Sequence, residues 1–484
     1  MASRRDLFQS YQFMVRRVVA GMVLRETDPV QDPLRRLGGA VFGGIMMTVL
    51  ALAAVGVVAV LKPGGNTSWQ DGAAVIVEEE TGARFVWLPD ADGEQRLHPV
   101  TDFTSAALLV GSTSVVSVSA DSLDDVPRGP RLGIPGAPDS LPPSDRVLGS
   151  PWTLCSLPAE TVSGETVPNT ALVVGQDTSR GTGVGDAAVL VRDVEQGTLH
   201  VVLGGYQYPV PPAAEAAVLE GLALRTEPVL SVGTAWLSAL PAGEELAPEP
   251  VADRGTASAV VAGAVVGEVR FVAAGEERQY YQVAADRIVE ITEVQARLLL
   301  ADPSTRAAVY GSQVPTEAPL SAAEAAAAPR TELPETQPTD PPAKLFEVAD
   351  VDPSDQTLCA AFRAEGTADD AAAAVPDVTV QAGVDGVDTA AVTQRRTADG
   401  VVLADRVVVR PGWGALVESV PAPGAPGGTL TLVTDEGVRY PLPSAQVAAT
   451  LGYAGIEPVR LPSSLVARVP AGPALDVADA RRTG

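Results

Sequence analysis

The sequence predicts an α+β protein in which one N-terminal membrane-spanning helix precedes four related α+β repeats arranged around a central module. Three observations carry that prediction. Residues 38–61 run 24 positions without a charge or a proline, a block of more than forty residues recurs in order near the C-terminus, and two cysteines bracket the middle repeats. Hydrophobic residues make up 46% of the 484, but aromatics only 4%, so the cores must be built from Val, Ala and Leu.

The first element is a short basic arm. Residues 1–37 hold seven arginines (Arg4, Arg5, Arg16, Arg17, Arg25, Arg35, Arg36) against four acids (Asp6, Glu26, Asp28, Asp32), a net of +3. The whole chain carries −26, so removing +3 leaves −29 for the remainder. Within the arm, Leu7, Tyr11, Met14, Val18 and Met22 recur at helical spacing, and Asp28-Pro29 ends the helix. A lone helix cannot cover such a stripe itself, so lipid headgroups or a partner protein must. Phe8, Tyr11 and Phe13, with Arg16 and Arg17, are the expected docking residues; a frayed juxtamembrane segment is the alternative.

The second element, 38–61, is long enough as a helix, at about 1.5 Å per residue, to cross a hydrocarbon core of about 30 Å. Arginines before it place residues 1–37 in the cytoplasm and everything after Lys62 outside. Arg4-Arg5 resembles a twin-arginine signal, but the apolar run is too long and too distant for a cleaved leader.

The outer region is a repeat. Tyr208-Pro209 corresponds to Tyr440-Pro441, Glu227-Pro228-Val229 to Glu457-Pro458-Val459, and Pro241-Ala242-Gly243 to Pro470-Ala471-Gly472. Each copy reads as strand, turn, short strand with Tyr-Pro, Ala-rich helix, Glu-Pro-Val, a second short helix and Pro-Ala-Gly. Two fainter copies follow the same plan, one with His98-Pro99 at the Tyr-Pro position, the other with Tyr281 there and a helix over 286–301. The Tyr-Pro step fits an edge strand, where a missing donor does no harm. Pro315 to Pro342, rich in Pro, Ala, Glu and Thr without apolar periodicity, reads as a linker.

Cys155 and Cys359 both fall outside the membrane, where one disulfide is the simplest reading and two separate buried thiols the other. Such a bond would staple a central module from the segments around each cysteine.

Chemistry is sparse. The lysines are Lys62 and Lys344, and neither completes a phosphate-binding G-x-x-x-x-G-K-[ST] loop. His98 and His200 are the only imidazoles, which excludes H-E-x-x-H zinc sites, and both read as structural. Arg180 to Asp186 is the one Gly-rich loop and reads as a hairpin turn. No catalytic, cofactor-binding or metal-ligating residue is expected, and the acidic balance argues against nucleic acid as a partner.

Ser10-Tyr11-Gln12-Phe13 with Arg16-Arg17, Asp32-Pro33-Leu34-Arg35-Arg36 before a single span, Gly133-Ile134-Pro135-Gly136-Ala137-Pro138, Trp152 to Cys155, and Tyr440-Pro441-Leu442 together resemble the EccB family, membrane-core components of the actinobacterial type VII (ESX) secretion systems. The resemblance implies an elongated periplasmic region of four peptidoglycan-binding-like repeats around a disulfide-linked central module. It implies a structural subunit of the inner membrane, self-associating as dimers within a hexameric complex, with the EccC ATPase, EccD, EccE and the mycosin protease as partners. An ATP hydrolase, an activity sometimes ascribed to the family, and a peptidoglycan-binding anchor are the alternative functions. The expected partition is arm 1–37, span 38–61, repeat 1 at 70–135, central module at 136–165 and 344–375, repeat 2 at 166–245, repeat 3 at 255–312, linker 313–343, repeat 4 at 376–472 and tail 473–484.

Overall fold

A computed structural model describes residues 3–25, 33–61, 67–161, 163–178, 181–275, 277–352, 356–364, 375–390, 392–421, 425 and 427–483. The chain divides into two compact units, one of residues 1–70, 78–82 and 117–126, the other of 71–77, 83–116 and 127–484.

The first unit holds two long helices. Arg4–Leu24 begins with a capping box, in which Ser3 Oγ accepts from the Asp6 amide and Asp6 accepts from the Ser3 amide. Pro33–Leu61 starts five residues before the expected span, because proline is well suited to the first helical turn, where its missing donor would be unpaired anyway. Within it Gly38–Val57 is long and apolar enough to cross a membrane.

In the second unit each repeat lays three antiparallel strands side by side, follows them with a helix, and returns a fourth strand beside the first. Repeat 2 has the order Tyr206–Val210, Leu199–Leu203, Val189–Asp193, Val229–Val232, and repeat 4 has Arg439–Leu442, Thr429–Val433, Ala415–Val420, Val459–Pro462. The returning strand is parallel to the first in both. Repeat 1 shares the order, third strand outermost.

Repeat 3 departs from the sequence expectation in two ways. Tyr281 lies on the second strand, Glu277–Val283, while Ile288–Ile291 forms the third. The expected helix over 286–301 therefore starts only at Glu293, where Thr292 and Gln295 make a capping box. Ile288, Val289 and Ile291 favour the pleated surface, and Val283 to Tyr280 pair with them. The expected linker 313–343 is the second half of the repeat. Ala318–Pro319 returns parallel to Val269–Ala274, and helix Ala322–Ala327 follows it. Thr226-Glu227-Pro228-Val229-Leu230-Ser231 of repeat 2 recurs there as Thr316-Glu317-Ala318-Pro319-Leu320-Ser321.

The central module is a six-stranded sheet in the order Arg406–Val408, Thr166–Val174, Trp152–Glu160, Thr357–Phe362, Asp377–Gln381, Thr182–Gly183. It takes Thr166–Val174 and Thr182–Gly183 from the range expected for repeat 2, and Asp377–Gln381 and Arg406–Val408 from that expected for repeat 4. A short turn makes Thr166–Val174 the hairpin partner of Trp152–Glu160, with nine residue pairs, and this local pairing prevails. Thr182–Gly183, expected inside a hairpin turn, is an edge strand instead, and Gly181 beside it approaches Val380 O so closely that a Cβ would lie 2.5 Å away.

Repeats pair helix to helix, 1 with 4 and 2 with 3. Ala106, Leu108 and Leu109 of repeat 1 share one core with Leu432, Tyr440 and Leu451 of repeat 4. Val218 and Leu222 of repeat 2 share another with Val294 and Leu298 of repeat 3. At Gly221 the latter helices touch, since a Cβ there would lie 2.8 Å from Arg297 O. Repeats 2 and 4 also cover the central sheet, where Trp236 and Leu465 pack with Trp152 and Leu154. Trp236 Nε1 donates to Leu154 O at 3.0 Å and Ser464 Oγ to Ala239 O at 2.9 Å.

Candidate interaction surfaces and the disulfide-linked centre

Cys155 and Cys359 stand directly opposite each other on neighbouring antiparallel strands, with Cα atoms 4.0 Å apart, and form a disulfide. Both are fully buried, and the bond spans 204 positions of sequence. It ties two segments that the chain separates by two whole repeats, so in the unfolded state it removes the freedom of a very long loop, on the order of 5 kcal/mol in the chain-entropy model.

The third strand of three repeats is closed by a latch. Leu97, Gln207 and Arg439 each donate their amide to a proline carbonyl, of Pro127, Pro241 and Pro470, and accept from the glycine two residues on, Gly129, Gly243 and Gly472. The next residue of each strand is His98, Tyr208 or Tyr440, and the glycine lies against its ring, where a Cβ would come within 2.3 Å. Pro99, Pro209 and Pro441 follow and accept from Leu132, Leu246 and Leu475. The repeated ring is thus a packing element, and proline removes the donor on an edge already covered by the latch. In repeat 3, Ile288 donates to Pro329 O, but Val289 replaces the ring and Thr331 the glycine. A smaller side chain on one strand admits a larger one opposite.

The two histidines occupy structural places. His98 is 2% exposed with Nδ1 3.1 Å from Pro130 O. His200 lies between Thr198 and Gln207, and burial lowers its pKa. Among the described residues no group of three or more His, Cys, Asp or Glu side chains is placed to hold a metal. Lys344 pairs with Glu277 at 3.0 Å on the surface, and Lys62 lies outside the described residues.

The arm presents its apolar side chains uncovered. Leu7, Phe8, Tyr11, Met14, Val18 and Met22 are all more than half exposed. At about 100° per residue they fall within an arc of about 120°. Phe13 does not join them. It points away from Phe8 and Tyr11, under the Arg17 guanidinium at 5.9 Å from its ring centre, and Arg16 lies on the polar side. The five expected docking residues therefore divide between two faces, which helical arithmetic could have separated.

A second surface, missed in the sequence, is a groove of about 760 Å³ on repeat 4, lined by Leu416, Leu430, Leu442, Ala448, Tyr453 and Ile456. Its one ring is anchored from behind, since Tyr453 Oη donates to Pro142 O at 2.8 Å.

Comparison with known proteins gives one consistent result. Residues 1–483 match the family model for "Type VII secretion system ESX-1, transport TM domain B". The chain is 30% identical over 496 residues to the ESX-3 secretion system ATPase EccB3 of Mycolicibacterium smegmatis, covering 98% of this chain and 90% of the relative. It is 28% identical over 496 residues to the ESX-2 secretion system ATPase EccB2 of Mycobacterium tuberculosis, covering 98% and 93%. Among solved structures, it superposes with TM-score 0.59 and 26% identity on a chain of the EccB3 dimer from the ESX-3 core complex, covering 84% of this chain and 100% of that one. A chain of an intact ESX-5 inner membrane complex gives TM-score 0.60 at 22% identity, covering 100% and 96%.

Proposed function

The chain belongs to the EccB family of type VII secretion components, and on that footing we propose that it is a structural subunit of an ESX membrane complex. One observation supports the reading: the family match runs over residues 1–483, from the arm through the long apolar helix to the last repeat, so no part of the chain falls outside it. The arm lies in the cytoplasm and docks on partner domains, with EccC, EccD, EccE and the mycosin protease as the candidates. The outer region lies beyond the membrane and associates with further copies of itself, a reading supported by the similar EccB3, which forms a dimer in the ESX-3 core complex. Net charge supports this orientation, with arginines concentrated before the span and −29 after it.

Affinity purification in mild detergent tests the proposal. Recovery with a large ATPase and a multispan partner is expected; recovery of this chain alone overturns it.

The names of the relatives favour a second reading, ATP hydrolysis. The sequence offers no phosphate-binding lysine loop for it. Turnover that copurifies with the chain through a second column and vanishes with a point substitution in it would establish the activity. A glycan anchor has weaker support, because the repeat 4 groove is aliphatic and sugar binding draws on exposed aromatic faces.

A further inference from the structure

The outer strands of a sheet carry a row of main-chain groups that no neighbour satisfies, and proteins commonly blunt such edges with proline, charge or a covering segment. The latch covers one edge of three repeats, and the returning fourth strand lies at or beyond the opposite side of the sheet. In repeats 3 and 4 that strand contains a proline, Pro319 and Pro462. In repeat 2 it is Val229-Leu230-Ser231-Val232, with neither proline nor charge.

The register shows which groups of this strand are free. In a parallel pair, one residue directs its N–H and C=O to the neighbour and the next directs both away. Val232 O accepts from the Val194 amide at 3.1 Å, so Val232 and Leu230 face the strand Val189–Asp193. Val229 and Ser231 therefore turn their main-chain groups outward, where neither finds a main-chain partner among the described residues.

Ser231 borders open space. Two cavities, of about 600 and 300 Å³, meet along it and along Thr166, Val167 and Pro168 of the central hairpin. Val194, 48% exposed, also lines the larger one, and Leu157 and Leu358 line the smaller. Beyond the strand the space narrows, since a Cβ on Gly233 would lie 2.9 Å from Thr170 Oγ1. The larger cavity sets three carboxylates, Glu165, Glu195 and Asp405, against the guanidinium of Arg395. Arg396 pairs with Glu195 and Arg395 approaches Asp405 at 3.7 Å, but Glu165 makes no ion pair among the described residues.

We propose that this groove takes an extended peptide segment of a partner protein, added as a strand on Val229–Val232 and carrying a lysine or arginine toward Glu165. The outward N–H and C=O groups of Ser231 supply main-chain bonds, which only another strand matches in kind, and the valine and leucine walls receive alternate side chains. The surplus carboxylate selects a basic residue among them. This inference rests on the reading of the chain as a subunit of a membrane complex.

The test is photo-crosslinking within the complex purified in mild detergent, with p-benzoylphenylalanine replacing Val194 and the adduct sequenced by mass spectrometry. An adduct on a different protein, in a stretch that holds a lysine or arginine, is expected. Ser231→Pro deletes the outward amide while leaving the bonds to Val189–Asp193, and should lower the yield at least tenfold; Ser231→Ala keeps that amide and should not. Glu165→Lys should lower the yield at least threefold, and it decides the matter if the proline variant fails to fold. No adduct in an intact complex overturns the proposal, as does an adduct on a second copy of this chain or an undiminished yield in a folded Ser231→Pro or in Glu165→Lys. Recovery of this chain without other subunits would instead overturn the subunit reading, and this inference with it.

Discussion

Gly472 lies against the ring of Tyr440 so closely that a methyl group on its Cα would sit 2.3 Å from Cε1. Gly243 stands in the same relation to Tyr208 and Gly129 to His98, so one contact is repeated through three domains of different sequence. Where Val289 takes the place of the ring, threonine takes the place of the glycine.

Gly472→Ala should therefore destabilise the protein by about 1–3 kcal/mol through overpacking. Combining it with Tyr440→Val, the residue type of repeat 3, should recover part of the loss. Thermal unfolding of the four members of the cycle measures this; equal losses for Gly472→Ala with and without the ring would refute the contact.

Tyr440 also sets an alkaline limit. Burial, with Glu436 and Asp102 nearby, pushes its phenol up to about 12. An unfolded tyrosine ionises near pH 10, so the contribution of the buried phenol is complete below about pH 10 and falls as pH rises toward about 12. Tm measured across that window should drop less in Tyr440→Phe than in the parent. An identical drop would remove Tyr440 as the cause.

The disulfide predicts a larger effect. Replacing Cys155 and Cys359 together by Ala should cost about 3–5 kcal/mol, because the sheet register survives while the unfolded chain regains a long loop. Chemical denaturation reads it, and a change below about 1 kcal/mol would contradict the chain-entropy account.

On the arm, the two aromatic faces separate two outcomes. Phe8→Ala with Tyr11→Ala should release cytoplasmic partners in a pull-down and leave membrane insertion intact, whereas Phe13→Ala should have little effect. Loss of partners with Phe13→Ala alone would put the docking face on the other side of the helix.

Local pattern and internal similarity were enough to expect the arm, the span, the repeat plan and the place of the cysteines. What they missed depended on distance or on weak side chains. Thr357–Phe362 joins Trp152–Glu160 across two repeats, and no periodicity within either strand reveals that partner. Ala322–Ala327 is nearly all alanine, so it carries no apolar stripe, and the Thr316 to Ser321 echo of repeat 2 was the only trace of the domain continuing there. Tyr280 and Tyr281 drew the repeated ring onto the wrong strand of repeat 3, where valine has replaced it.

As proposed, this chain is a subunit that holds a secretion complex together. Its most direct test is the native mass of particles purified through this chain from its own membrane in mild detergent. A large assembly with more than one copy of this chain together with other membrane subunits is expected. A particle with the mass of a single 49.7 kDa chain in its detergent belt would contradict it.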